Sequence, residues 1–330
     1  LAQRKSRIVN SVQAELGIER PGVPQSLICA VLQTDATVYG ALCVGRLNGG
    51  PEFTAGELKL ANTLASQATI AVENSVLHRQ RLEEEQEIIR MQEELRLARE
   101  IQTRLLPSSV PSVLGYDIAG RSIPAQSVGG DYFDMIPTDD GRLALVLGDV
   151  SGKGLPASIL MSHLQASIRG QTLMKASPRD CLTRSNRLLF HSTSVEKFAT
   201  CFYGILDPRE HSLQFSNAGH DHPMLTGGAE ALRLESGGMV LGIFEDAGYE
   251  ECSVVFPPGG TLVIYSDGIP DAMNGSEEEF GMDRFARLIG ELRAETAEAA
   301  VERILGEVTQ HANGAPQTDD MTLVVVRRQG

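Results

Sequence analysis

Three hydrophobic runs constrain this chain more than anything else in it. They are L-A-L-V-L-G-D-V, ending at Val150, T-L-V-I-Y-S-D-G, ending at Gly268, and T-D-D-M-T-L-V-V-V, ending at Val326. Each is short for a helix and too evenly apolar for a strand with one wet face. Each therefore reads as a strand buried on both sides, within a sheet that needs cover on both faces. Each also carries an acid at one end: Asp149, Asp267, and the pair Asp319 and Asp320.

The runs F-A-T-C-F-Y-G-I-L-D and S-L-Q-F-S-N-A-G-H add two more strands. Helical segments are expected over roughly 156–174, 178–192, 282–293 and 296–312. Strands in pairs with helices inserted between them suggest antiparallel sheets covered by helices, an α+β fold.

Residues 26–75 differ. S-L-I-C-A-V-L-Q and Y-G-A-L-C-V-G-R-L read as antiparallel strands joined around residues 34–37. The turn N-G-G-P-E-F leads into a helix begun by Thr54 or Gly56, with Leu58, Leu60, Ala61, Leu64, Ala65, Ala68 and Ala71 on its apolar face. This stretch resembles the C-terminal half of a GAF domain, which implies a small-molecule or protein input. Residues 76–106 form a charged helical linker without Gly or Pro before Pro107. Ile88, Met91, Leu95, Ala98 and Leu105 make a stripe at three-four spacing that fits either a dimerising coiled coil or a helix packed on its own domain. Gln102 interrupts that stripe. The expected domains are 1–75, 76–106 and 107–330.

Acidic residues number 43 against 29 Lys plus Arg, a formal charge of -14. Such a balance argues against nucleic acid as partner and against an anionic membrane surface. No apolar run approaches the ~20 residues that span a bilayer. Cys29, Cys43, Cys181, Cys201 and Cys252 are scattered and read as buried free thiols. A cytoplasmic location is expected, and a first residue other than Met suggests a piece of a longer chain.

A fourth acidic motif, S-V-G-G-D-Y-F-D, holds Asp131 and Asp134. An isolated Asp beside Gly at a strand end is ordinarily a turn residue. Four such motifs together can converge on a cluster of hard oxygen ligands, and carboxylates share a site in ionised form only when a cation neutralises them. Oxygen-only ligation favours Mg²⁺ or Mn²⁺, and the Val150 carbonyl is a further candidate ligand. His220 and His222, two apart, lack a third nitrogen or sulfur partner at useful spacing. V-S-G-K-G-L-P lacks the spacing of a phosphate loop, and no G-x-S-x-G elbow exists.

In order and spacing, E-L-R-L-A-R-E-I-Q-T-R-L-L-P, S-V-G-G-D-Y-F-D, G-D-V-S-G-K-G-L-P-A-S, S-N-A-G-H-D-H-P, Y-S-D-G-I-P-D-A and T-D-D-M-T resemble the PPM (protein phosphatase 2C-like) family in its bacterial SpoIIE/RsbU branch. The resemblance implies a β-sandwich flanked by helices and a serine/threonine phosphatase using two Mn²⁺ or Mg²⁺ ions. It implies Asp149 as the bridging carboxylate with Val150, Asp131 on one metal, and Asp267 and Asp319 on the other. Asp320 and Asp134 are secondary candidates, and Asp271 stands where relatives commonly carry an acid. The implied substrate is a phosphorylated STAS-domain protein of the anti-anti-sigma type, with residues 155–173 as a candidate switch helix. No Arg precedes the first acidic motif; Arg121 lies further upstream. The rival readings are a non-catalytic scaffold and, on G-G-D-Y-F alone, a GGDEF-like nucleotide cyclase.

Overall fold

The structure, a computed structural model, describes residues 4–18, 20, 22–47, 50–194, 196–227, 231–292 and 295–329. The expected turn at Asn48 and Gly49 and the end of the helix at residue 293 lie outside the described residues. The chain divides into two compact units, Leu1–Gln92 and Glu93–Gly330.

In the first unit, β1 (Arg7–Val9), β2 (Ser26–Gln33) and β3 (Val38–Arg46) form an antiparallel sheet in that order, with α1 (Val12–Leu16) between β1 and β2. Alternation on β2 turns Ile28 and Ala30 into a small core with Phe53, Ala61 and Ala65. The long helix α2 (Ala55–Leu105) begins in a capping box. Glu57 N donates to Thr54 Oγ1 at 3.3 Å, and Thr54 N donates to Glu57 Oε2 at 2.7 Å. With no Gly or Pro between Gly56 and Pro107, nothing breaks the helix at 75/76, so the apolar-faced helix expected before residue 75 and the charged stretch after it are one element.

The second unit holds β4 (Tyr116–Ile123), β5 (Tyr132–Pro137), β6 (Leu143–Val150), α3 (Leu155–Leu173), α4 (Pro178–Ser192), β7 (Ala199–Asp207) and β8 (Ser212–Ala218). It continues through β9 (Met224–Leu225), β10 (Leu232–Arg233), β11 (Gly237–Gly238), β12 (Cys252–Val255), β13 (Thr261–Tyr265), α5 (Met282–Glu291), α6 (Ala297–Ala312) and β14 (Met321–Arg328). One sheet runs β10-β9-β13-β14-β4; the other runs β11-β8-β7-β6-β5, with β12 also on β8.

The two sheets pack face to face. Leu143, Leu145 and Leu147 of β6 and Val324 and Val326 of β14 meet in the core between them. The alternate residues Ala144 and Val146 face Leu164, Ile168 and Leu182 of α3 and α4. On the opposite outer side, Leu323 and Val325 pack on Phe285, Val301 and Ile304 of α5 and α6. The uninterrupted apolar runs are explained: helices cover the faces that an ordinary antiparallel sheet leaves wet. The expected sandwich flanked by helices is the observed architecture. Among the described residues, no helix is long and apolar enough to cross a membrane.

Within this unit the end of α2 is anchored by Leu106, which packs on the cores of the sandwich, and by Gln102. Gln102 is buried, Leu95, Ala98 and Leu105 are half-buried, and Leu105 O accepts from Gln165 Nε2 at 3.3 Å. Ile88 and Met91, further up the helix, are exposed.

Candidate metal centre

Two antiparallel strand pairs, one from each sheet, end at the same place. β5 and β6 pair with Tyr132 opposite Gly148, so one step further Asp131 stands across from Asp149. β13 and β14 pair with Tyr265 opposite Leu323, which leaves Asp267 just past one strand and Asp319 and Asp320 just before the other. Ser266 joins the two strand pairs: its Oγ donates to Asp131 Oδ2 at 2.7 Å and accepts from Thr322 N at 3.0 Å. Because β4 and β5 lie in different sheets, the Gly-Gly-Asp segment is a crossover turn, not the tip of a hairpin. The cyclase reading loses its one support.

The two glycines before Asp131 are there for space. A side chain at Gly129 would begin 2.3 Å from Asp320 Oδ2, and one at Gly130 would begin 2.9 Å from the Val150 carbonyl and 3.3 Å from Asp149 Oδ1. The backbone of this turn is held on both sides. Asp320 accepts from Ala125 N at 2.8 Å, Gly130 N at 2.6 Å and Asp131 N at 3.3 Å. Gln102 donates from Nε2 to Gly129 O at 2.7 Å and accepts from Gly129 N at 3.1 Å. The residue that broke the apolar stripe of α2 is thus the one that grips the turn.

Electrostatics ties the acids together. Burial, then the nearby Asp149 charge, holds Asp131 well above the usual carboxylate range. Asp149 is pushed up to about 7 by burial and by Asp267, Asp319 and Asp320. Asp267 is raised by burial, Asp319 and Asp271, and Asp271 by burial, Glu279 and Asp319. Asp221, between the two histidines, is raised to about 6 by burial, Asp267 and Asp271. Asp221 carried little signal in the sequence: it lies past the end of β8 with a histidine on each side, and lacks the adjoining Gly that marks Asp131, Asp149 and Asp267.

The remaining candidates are placed elsewhere. Asp134 points with Tyr132 toward α3, where Arg169 grips it through Nε at 2.6 Å and Nη2 at 3.1 Å, and Tyr132 OH donates at 2.8 Å. The two-residue period of β5 turns it away from the other acids. The carboxylate of Asp320 is taken up by backbone N–H groups. His220 is buried, its Nδ1 lies 2.8 Å from Thr200 Oγ1, and burial lowers it to about 4, so it stays neutral; His222 is exposed. Arg121 pairs with Glu298 and Glu302 of α6. Lys153, held between two left-handed glycines, Gly152 and Gly154, sets Nζ 3.0 Å from Asp319 Oδ2. Cys43 is exposed and Cys29 and Cys252 are half-buried, so only Cys181 and Cys201 are the buried thiols expected of all five.

Among the described residues, no three His, Cys, Asp or Glu side chains stand close enough to grip one metal ion together. The donor set nonetheless fits hard divalent cations. Buried carboxylates repel one another here, a carbonyl and a carboxylate oxygen border the space kept open at Gly130, and a lysine ammonium already neutralises Asp319.

The family model described as Stage II sporulation protein E (SpoIIE) matches residues 139–329. Protein IcfG of Synechocystis sp. is 30% identical over 265 residues, 71% of this chain and 41% of that protein. The phosphoserine phosphatase RsbU of Bacillus subtilis is 28% identical over 240 residues, 72% of this chain and 70% of that protein. The chain thus spans about two-fifths of the first relative and under three-quarters of the second. Among solved structures, the SiaA-PP2C domain of Pseudomonas aeruginosa superposes with a TM-score of 0.64 at 22% identity, covering 72% of this chain and 97% of that one.

Proposed function

Because the chain belongs to the SpoIIE family, we propose that it is a metal-dependent phosphatase acting on phosphoserine or phosphothreonine in a protein. The observation that carries this reading is the meeting of Asp131 and Asp149 from one sheet with Asp267 and Asp319 from the other. Asp131, Asp149, the Val150 carbonyl, Asp267 and Asp319 are the groups that would hold two Mn²⁺ or Mg²⁺ ions, with Asp320 supporting the turn that carries Asp131 and Asp134 turned away to Arg169. Such ions, when bound, lower the pKa of a shared water and neutralise charge on the phosphoryl group.

The chain's own residues do the positioning. Ser266 orients Asp131 by donating to one carboxylate oxygen. Asp320 and Gln102 fix the turn that carries it. Asp131 itself is buried, so its carboxylate is kept from bulk water.

The substrate in this reading is a phosphorylated STAS-domain protein in a partner-switching pathway; the name of the RsbU relative supports a phosphoserine target. The first unit, GAF-like in sequence, would be the input module, and a cavity of about 420 Å³ lined by Ser11, Val12, Gln13, Ile18, Arg20 and Val23 offers a place for a small molecule. Exposed Ile88, Ile89 and Met91 on α2 support a homodimer through the linker. α3, fastened by Arg169 to Asp134, is the switch helix of this proposal.

One observation favours a second reading, a non-catalytic scaffold: among the described residues, no three acids close on a single point. The test is hydrolysis of an aryl phosphate and of a phosphorylated STAS protein with Mn²⁺, comparing the natural chain with Asp149→Asn. Turnover that the substitution abolishes supports the phosphatase. Inactivity on both substrates, in protein that binds Mn²⁺, moves the reading to the scaffold.

A further inference from the structure

The face of the first unit's sheet that turns away from its core carries a pair of thiols with no part in the acidic centre. In the antiparallel register of β2 and β3, Cys29 stands directly opposite Cys43. Their sulfurs are 2.7 Å apart. Non-bonded heavy atoms settle at roughly 3.5–4.0 Å, so the two side chains lean into each other, short of a covalent bond. Alternation on β2 explains why they are reachable: Ile28 and Ala30 enter the core, and Cys29 projects from the other face. Cys43 is exposed. Arg7 of β1 lies directly across from Cys29 on its other side, and its charge favours a thiolate nearby. Neither buried cysteine, Cys181 or Cys201, has comparable access.

We propose that Cys29 and Cys43 are a thiol-redox site that closes to a reversible cross-strand disulfide when the protein meets a hydroperoxide. Cys43, as the more exposed, attacks the peroxide oxygen; the O–O bond breaks, hydroxide leaves, and a sulfenic acid forms on its sulfur. The Cys29 sulfur then attacks that sulfur, gives up its proton, and water leaves. With hydrogen peroxide the sum is two thiols oxidised to one disulfide, losing two protons and two electrons, and one peroxide reduced to two waters. Burial pushes the Cys29 thiol up to about 11, so it is not the group that meets the peroxide first. Directly opposed Cβ atoms sit about 4.5–5.5 Å apart, whereas a relaxed disulfide prefers about 3.5–4.5 Å. The bridge is therefore tight, and tight, exposed bridges are the easily reduced kind.

The test uses the full chain and does not depend on the phosphatase reading. Protein is treated with hydrogen peroxide, blocked with iodoacetamide, digested without reductant and weighed by mass spectrometry. The expected product is a Cys29–Cys43 linked peptide two hydrogens lighter than its parts, restored to two separate thiols by dithiothreitol. In Cys29→Ser, Cys43 should stop at a sulfenic acid that dimedone traps; in Cys43→Ser, Cys29 should stay alkylatable. Circular dichroism verifies that both variants fold, and the natural chain alone already answers the main question. Separate alkylation of both cysteines after peroxide, or a Cys43–Cys43 link between copies, overturns the proposal.

Discussion

Replacing Gln102 by Ala removes both hydrogen bonds that α2 makes to the Gly129 peptide, and both peptide groups are buried. A buried backbone group left without a partner costs about 1–3 kcal/mol. A cavity of about 210 Å³, lined in part by Gln102, Gly129 and Asp131, borders the turn, so water can replace some of what is lost. The net loss should be about 2 kcal/mol, toward the low end for two groups. If that strain is felt where the turn delivers Asp131, the Mn²⁺ midpoint should rise about thirtyfold, since about 1.4 kcal/mol is a factor of ten. Gln102→Glu should do no better: it can still accept from Gly129 N–H but sets a carboxylate oxygen against the Gly129 carbonyl. The assay is Mn²⁺ titration followed by electron paramagnetic resonance, with urea unfolding on the same samples. A variant less stable by the expected amount, yet with its Mn²⁺ midpoint within about twofold of the natural chain, would show that Gln102 only mortars the fold and refute the reasoning.

The other predictions concern the acids. The Asp149 carboxyl rises from its ordinary 3.8 to about 7 in the folded chain, so the fold holds that proton more tightly than the unfolded chain does. The contribution of Asp149 to metal-free stability should therefore be full below about pH 4 and be lost as pH rises through about 7, by on the order of 4 kcal/mol; thermal melts of the natural chain and of Asp149→Asn across that range, with and without Mn²⁺, should show this share and its removal by the metal. Asp149→Asn should abolish hydrolysis and yet stabilise the metal-free protein at pH 8, measurable in the same melts. Asp134→Asn should leave the Mn²⁺ midpoint unchanged while loosening α3, read as faster amide exchange over that helix; a large midpoint shift would return Asp134 to the ligand set. Gly268→Ala would start a side chain 2.1 Å from the Asp320 carbonyl, and urea unfolding should show a loss of stability together with lost activity.

Much of this was visible in the chain because two periodicities write it there. Strands covered on both faces show as unbroken apolar runs, and an acid at the end of such a run has no packing reason to be there. That is why Asp149, Asp267 and Asp319 stood out. Telling Asp319 from Asp320 was beyond the sequence, since adjacent residues differ only in which way the backbone aims them. Asp134 could have been set aside, because three positions beyond Asp131 the strand has turned its side chain to the helix face; its partner, Arg169, sits 35 residues on with no local signal. Gln102 did announce itself, as a polar residue where an apolar stripe required another kind, but nothing in the sequence said that Gly129 was its partner. The continuity of α2 was legible as the absence of Gly and Pro, and the resemblance of its first half to another domain hid it.

The Ser266–Asp131 hydrogen bond has a mechanical side. Asp131 and Asp149 ride on one sheet, Asp267 and Asp319 on the other, and sheets packed through side chains can slide past each other in a way that strands within a ladder cannot. At the acidic end this bond, together with those from Gly130 N and Asp131 N to Asp320 and the Lys153–Asp319 pair, is a latch across that slip plane. A cation shared by both pairs of carboxylates would be a rivet through the two plates, and the end of the sandwich where like charges crowd would become its stiffest edge.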